Sequence, residues 1–332
     1  MPLGIFRRLC ERVQRGCKKP WGPCMSFCTP IQRRLAAVLL VALAACGSAS
    51  KPVAPSALDD DAITVGSFDF AESALLSEIY SQALEHGGFQ VHRQFEIGPR
   101  ELVLPAMSAG FVELVPEYLG TAEQFLSLGA AREGSDAPAI HRSLDATLGN
   151  GELVALASSP AQDANAFFVT RATATRDDLH DLSDLARVDD QLTFGGPAEC
   201  ASRPLCLVGL QKTYGLEFKQ IVSLDAGGPL TRQALREGAI DVALLFTTDP
   251  VIDSEGFVEL RDDKGLQPAE NVTPLVRTEI VDRWGSKLVD LLDAVSERMT
   301  TADLRELNGR VARGEGDAGA VAKAWLAEQG LT

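Results

Sequence analysis

The chain has 332 residues and a net charge of −15, with 45% apolar and 23% charged residues. These are the proportions of a globular protein with room for two ordinary domains. No apolar run reaches the roughly 18 residues of a membrane-spanning helix, and the acidic balance argues against nucleic acid or anionic lipid as a partner.

The first 46 residues are a different kind of sequence. Arg33 and Arg34 precede an apolar run from Leu35 to Ala45, the charge-then-apolar order of a secretory signal. The run ends in "LAAC" at Cys46, which resembles a bacterial lipobox, where the cysteine becomes the lipid-bearing first residue. Met25 would give this signal an ordinary length, which leaves the start open between Met1 and Met25. Removing the eight basic residues and one acid of residues 1–46 leaves 23 basic against 45 acidic residues, a net charge of −22. Five of the seven cysteines lie in this segment. Cys200 and Cys206 remain, an even pair in an exported chain, and are expected to form a disulfide. Residues 47–61, rich in small residues, Pro and Asp, read as a flexible tether.

A regular pattern starts at Ile63. "ITVGS" reads as a buried strand. "AESALLSEIYSQALEHGG" carries Leu75, Leu76, Ile79, Ala83 and Leu84 at helical spacing and ends in two glycines. "FQVHRQFEI" alternates like a strand, "PRELVLPAMSAG" reads as a helix with an internal proline, and "FVELV" as a strand ending at Val115. Pro116 should end that strand, because it has no N–H for a ladder, and residues 116–121 should line a cleft. The βαβαβ order signals a largely parallel sheet covered by helices. It recurs about 129 residues later in "LTFGG", "LCLVGLQKTYG", "FKQIVSL", "PLTRQALREG" and "AIDVALLF". In the alignment of the two units Ala106 meets Ala234, Gly110 meets Gly238, Glu113 meets Asp241 and Tyr118 meets Phe246. Ligands bind beyond the carboxyl ends of strands in such sheets, so Tyr118 and Phe246 are placed on facing walls.

"ITVGSFDFAESALLSEIY", "PAMSAGFVELVPEYLGT", "GGPAECASRPLCLVGLQKTYGL" and "FTTDP" together resemble the substrate-binding lipoproteins of glycine betaine/choline-type osmoprotectant ABC importers, over residues 63–328. The resemblance implies a type II periplasmic-binding-protein fold: two α/β lobes with mainly parallel sheets around a ligand cleft, joined by two crossing segments. Lobe I would be residues 62–165 plus 275–332 and lobe II residues 166–274, with the crossings at "AFFVTR" and "VTPLVR". It implies a monomeric receptor, lipid-anchored outside the cytoplasmic membrane, that needs no cofactor. The receptor would deliver a small quaternary ammonium compound to permease subunits served by a separate ATPase.

The resemblance also implies an aromatic cage. A trimethylammonium has no N–H to donate, so aromatic faces must recognise it. Carried over by position, Tyr118 and Thr121 keep their places, Phe167 and Phe246 stand where tyrosines are usual, and Glu270 takes the place of a fourth. Arg203 matches a carboxylate-binding arginine, and Ser73 replaces a common glutamine. Each has a plainer alternative: a boundary tyrosine for Tyr118, core packing for Phe167 and Phe246, a surface arginine, a solvated acid. Asp69 and Glu72 read as acids at a helix start. The incomplete cage leaves open a different small solute, uncharged or aromatic, or a ligand sensor. An enzyme is not expected. His86, His92, His141 and His180 have no metal-ligand spacing, and there is no GxSxG elbow, Walker loop or GxGxxG.

Overall fold

The computed structural model describes residues 61–129, 134–149, 151–250 and 255–332. The expected signal, Cys46 and all but the last residue of the expected tether lie outside the described residues. Among the described residues no helix is long and apolar enough to cross a membrane.

The first five elements follow the sequence pattern. Strand β1 (Ala62–Gly66) leads into helix α1 (Ala71–His86), and β2 (Gln90–Gln94) into α2 (Arg100–Ser108), which ends just before β3 (Leu114–Tyr118). β1 is buried on both faces, as a continuous apolar run requires. The buried face of α1 holds Leu75, Leu76, Ile79, Ala83 and Leu84, but also serines. The Ser77 hydroxyl donates to the Gly66 carbonyl at 2.7 Å, which satisfies both buried groups.

β3 departs from expectation. It continues through Pro116 and Glu117 to Tyr118 instead of stopping at Val115. Its partner is β10 (Val272–Arg277), antiparallel, with Pro116 opposite Pro274. Pro274 turns its carbonyl away from β3 to the Leu156 N–H at 2.9 Å. The two prolines therefore face each other at a position where neither needs a donor, and β1 pairs with β3 only at Leu114. A proline is tolerated in a strand where the missing N–H has nothing to reach.

The first sheet has the order β2-β1-β3-β10-β4, with β4 at Leu153–Ala155. The second repeats it as β7-β6-β8-β5-β9, built from β5 (Asn165–Thr170), β6 (Thr193–Gly196), β7 (Gln220–Ser223), β8 (Val242–Phe246) and β9 (Phe257–Leu260). In both, three parallel strands are followed by one antiparallel strand. The equivalence reaches single hydrogen bonds. Thr64 N–H donates to Glu113 Oε2 at 2.8 Å, and Thr193 N–H to Asp241 Oδ2 at 2.9 Å. The backbone N–H groups of Glu113 and Asp241 donate back to Thr64 and Thr193, each at 2.8 Å.

The strand-like runs "AFFVTR" and "VTPLVR" are not the crossings. They are β5 and β10, inside the sheets, and Val272 to Pro274, assigned above to the second lobe, pair within the first sheet. The crossings are the residues just before each strand. They run side by side: Val272 N–H donates to Ala161 O at 3.0 Å, Asp163 N–H to Glu270 O at 3.1 Å, and Gln162 bridges Asn271. The remaining helices cover the sheets. α3 (Leu119–Leu126), α4 (Ala137–Leu148), α5 (Arg171–Asp177) and α6 (Pro229–Arg236) come before the return crossing, and α7 (Thr278–Trp284), α8 (Ser286–Arg298), α9 (Thr301–Ala312) and α10 (Ala318–Glu328) after it. Trp325 of α10 and Leu292 of α8 pack into the core of the first sheet.

Candidate ligand cleft

β1, β3, β6 and β8 point their carboxyl ends at one cleft, as the strand-end rule requires. Its wall includes Tyr118, Thr121, Arg203, Phe246 and Glu270, five of the seven ligand residues expected from sequence. Phe68, Phe70, Arg100, Asp163 and Asn165 join them.

Two expected residues are elsewhere. Phe167 is 1% exposed and packs against Phe194 in the core of the second sheet. β5 reaches the cleft with Asn165, two residues earlier, because the strand starts there. Ser73 is fully buried in the first turns of α1. Its Oγ accepts the Phe68 N–H at 2.9 Å and holds the turn that presents Phe68 and Phe70. Neither residue lines the cleft.

Among the cleft residues that the sequence reading missed, Phe70 is the one whose signal was present. "SFDF" follows β1 just as "EYLGT" closes β3, so the same strand-end rule places it at the cleft. Phe70 lies at the centre of a row of rings. Its centroid is 6.0 Å from Phe68, 6.0 Å from Tyr118 and 5.4 Å from Phe246. The Phe70–Phe246 pair joins the walls built on the two sheets. Phe68 already has a cation: the Arg100 guanidinium lies 5.0 Å from its ring centre.

Both cleft arginines are paired. Arg100 is buried and grips Glu117 through two bonds of 2.8 Å. Burial works against the Arg100 charge, but Glu117, with Glu270 and Glu101 adding to it, offsets the burial and raises its pKa. Arg203 holds Glu101, on the other wall, at 3.2 and 2.8 Å. The Cys200–Cys206 disulfide, with Cα atoms 5.3 Å apart, closes the loop that carries Arg203. The guanidinium of Arg203, expected to bind a ligand carboxylate, is paired here with a carboxylate of the protein.

Tyr118 is also tied from behind. It is 6% exposed, and its hydroxyl donates to Glu72 Oε1 at 2.7 Å. Glu72 Oε2 accepts from Thr248, on the second half, and from Asn308 of α9. Asp163 accepts from the Thr248 N–H at 3.0 Å. Burial, with Glu72 nearby, pushes the Asp163 carboxyl well above its usual range. Glu72 and Asp163 thus bind the two halves together beside the crossings.

Glu270 closes the cleft floor from the second crossing. Its Oε2 accepts the N–H groups of Gly120 and Thr121 at 2.9 and 3.0 Å, so it caps α3 from outside that helix. The approach is close. A Cβ at Gly120 would lie 2.3 Å from Pro268 Cγ and 2.9 Å from Ala269 O, which accounts for the glycine in "EYLGT".

Comparison with known proteins agrees with this geometry. Residues 61–328 match the family described as substrate binding domain of ABC-type glycine betaine transport system. The chain belongs to this family. A curated relative, "Glycine betaine-binding protein YehZ" of Escherichia coli K12, is 26% identical over 81% of this chain and 91% of its own. The "Glycine-betaine-binding protein" of Pseudomonas aeruginosa PAO1 is 29% identical over 76% and 82%. Among solved structures, one titled as a glycine betaine/carnitine/choline ABC transporter superposes with a TM-score of 0.64, at 22% identity, over 81% of this chain and 99% of that one. The fold is that of the type II periplasmic binding proteins. Members of the family are extracytoplasmic solute-binding components of ABC importers, not enzymes, and hand small ligands to a permease. Among the described residues no cluster of side chains could hold a metal ion.

Proposed function

We propose that this chain captures a small quaternary ammonium compound and releases it to its permease, with the halves around the two sheets moving as lobes about the paired crossings. One observation carries the reading: aromatic rings from both halves, Phe70 and Tyr118 from the first and Phe246 from the second, meet in a cleft that also contains Asp69, Asp163, Glu199 and Glu270. A trimethylammonium is satisfied by aromatic faces and by diffuse negative charge, and each desolvated face contributes roughly 0.5–2 kcal/mol. Because the rings come from opposite walls, the full site exists only when the cleft is closed, so binding and closure are coupled.

The test is a thermal-shift series with trimethylammonium compounds against isosteric uncharged controls. A ligand that binds the native state alone raises the melting temperature with its concentration. Choline or glycine betaine should do so, and their carbon analogues should not. Equal shifts from the uncharged controls would remove the cation from the reading.

We also propose that the receptor is a lipid-anchored monomer attached through Cys46. The support is "LAAC" after Arg33, Arg34 and the apolar run. Cys46→Ala should leave the membrane fraction of expressing cells for the soluble one. A variant that stays with membranes as fully as the parent would refute the anchor.

A further inference from the structure

The open valence of the cleft is negative. Arg100 and Arg203 are each paired with a carboxylate of the protein, Glu117 and Glu101, through two hydrogen bonds apiece, so the charge of each is already offset. Glu270 is the reverse case. It is 1% exposed and lines the cleft; Oε2 is occupied by the start of α3, while Oε1 is buried and meets no hydrogen-bond partner among the described residues. A buried acceptor left unpaired costs free energy until a donor or a cation arrives. The ligand is the group that can supply one.

We infer that Glu270 is the residue that sets ligand charge: the site takes a cationic quaternary ammonium carrying a hydroxyl or other donor, of the choline type, in preference to a zwitterion with its own carboxylate, of the glycine betaine type. The inference rests on the quaternary ammonium reading above and sharpens it. Choline and glycine betaine share the trimethylammonium head and differ at the other end of a two-carbon chain. The hydroxyl of choline can donate to Glu270 Oε1. The carboxylate of betaine cannot, and the guanidinium groups it would pair with are already neutralised by Glu117 and Glu101. Like charges in a water-poor cleft repel strongly.

The ionisation of Glu270 gives the idea a second handle. Burial raises its carboxyl from 4.5 to about 7, opposed by the N–H groups of Thr121 and Gly120 and by Arg100, with Glu117 adding to the rise. Asp163 stands on the adjoining crossing and Tyr118 at the end of β3; both are held well above their ordinary range. Arg203 and Glu199 reach the cleft from the disulfide loop, and Asp69 from the turn after β1. Below its pKa Glu270 is neutral and above it charged. A permanent cation therefore gains affinity as pH rises through about 7.

Calorimetric titration of the intact protein with choline and with glycine betaine decides it. At pH 8 choline should bind at least about tenfold tighter, and its advantage should shrink at pH 5.5. Glu270→Gln keeps a carbonyl for the α3 cap and turns an N–H2 toward the cleft. It should weaken choline about tenfold or more, bring the two ligands level or reverse them, and abolish the pH dependence. Betaine equal to or tighter than choline in the parent, or a ratio unmoved by Glu270→Gln, would overturn the inference and leave the quaternary ammonium reading intact. If neither compound binds the parent, that reading fails and takes the inference with it. Should Glu270→Gln not fold, the pH dependence of the parent's ratio still decides, since a pH-independent ratio refutes the role of Glu270.

Discussion

Arg100→Ala is expected to lower the unfolding free energy by about 3–5 kcal/mol. The reason is asymmetry. Arg100 and Glu117 are both buried, at 8% and 1% side-chain exposure, and hold each other through two short bonds. Removing the guanidinium leaves buried Glu117 with the Tyr118 N–H as its remaining partner among the described residues. It also strips the cation from Phe68 and a donor from Thr121 Oγ1, 3.1 Å away. Urea denaturation gives the number directly, provided the slope with denaturant is unchanged. The double substitution Arg100→Met with Glu117→Leu should recover most of it, since a buried pair replaced by apolar groups of similar size is often near neutral. A loss below about 1 kcal/mol for Arg100→Ala would mean that the pair is solvated, as surface pairs of that strength are.

Two substitutions at Tyr118 should separate stability from recognition. Tyr118→Phe keeps the ring face toward the cleft but takes the hydroxyl from Glu72, which is itself buried. It should cost about 1–3 kcal/mol of stability, the usual penalty for orphaning a buried polar group, with choline affinity changed less than about threefold, under about 1 kcal/mol. Tyr118→Ala removes ring and hydroxyl together. It should cost about 3–5 kcal/mol of stability and weaken binding by about thirtyfold, or about 2 kcal/mol. The bond to Glu72 gives the hydroxyl a structural role. Paired denaturation and titration of both variants check this. If the Phe and Ala variants lose affinity equally, the hydroxyl touches the ligand and the Glu72 bond is not its role in the complex.

The α/β class, the duplicated unit and the position of the cleft were legible in the sequence because they follow from short-range pattern. Strand and helix periods, glycines at helix ends, and an aromatic just past a strand each depend on a few neighbouring residues. The alignment that put Glu113 beside Asp241 and Tyr118 beside Phe246 matched hydrogen bonds and strand ends in space, because it compared local units of one length. Tertiary structure decided the rest. Pro116 lies within β3 because β10 presents Pro274 opposite it, a partner more than 150 residues away. Asn165 and Phe167 lie on one face of β5, and only the start of the strand at Asn165 decides that Asn165 reaches the cleft while Phe167, two residues further in, packs into the core. Arg203 meets Glu101, and Glu270 meets the N-terminus of α3, only because two crossings bring distant segments together. The residue types showed that the cleft could be charged. Which of those charges are already neutralised depends on pairings across the fold, and these leave Glu270 Oε1 buried with no hydrogen-bond partner among the described residues.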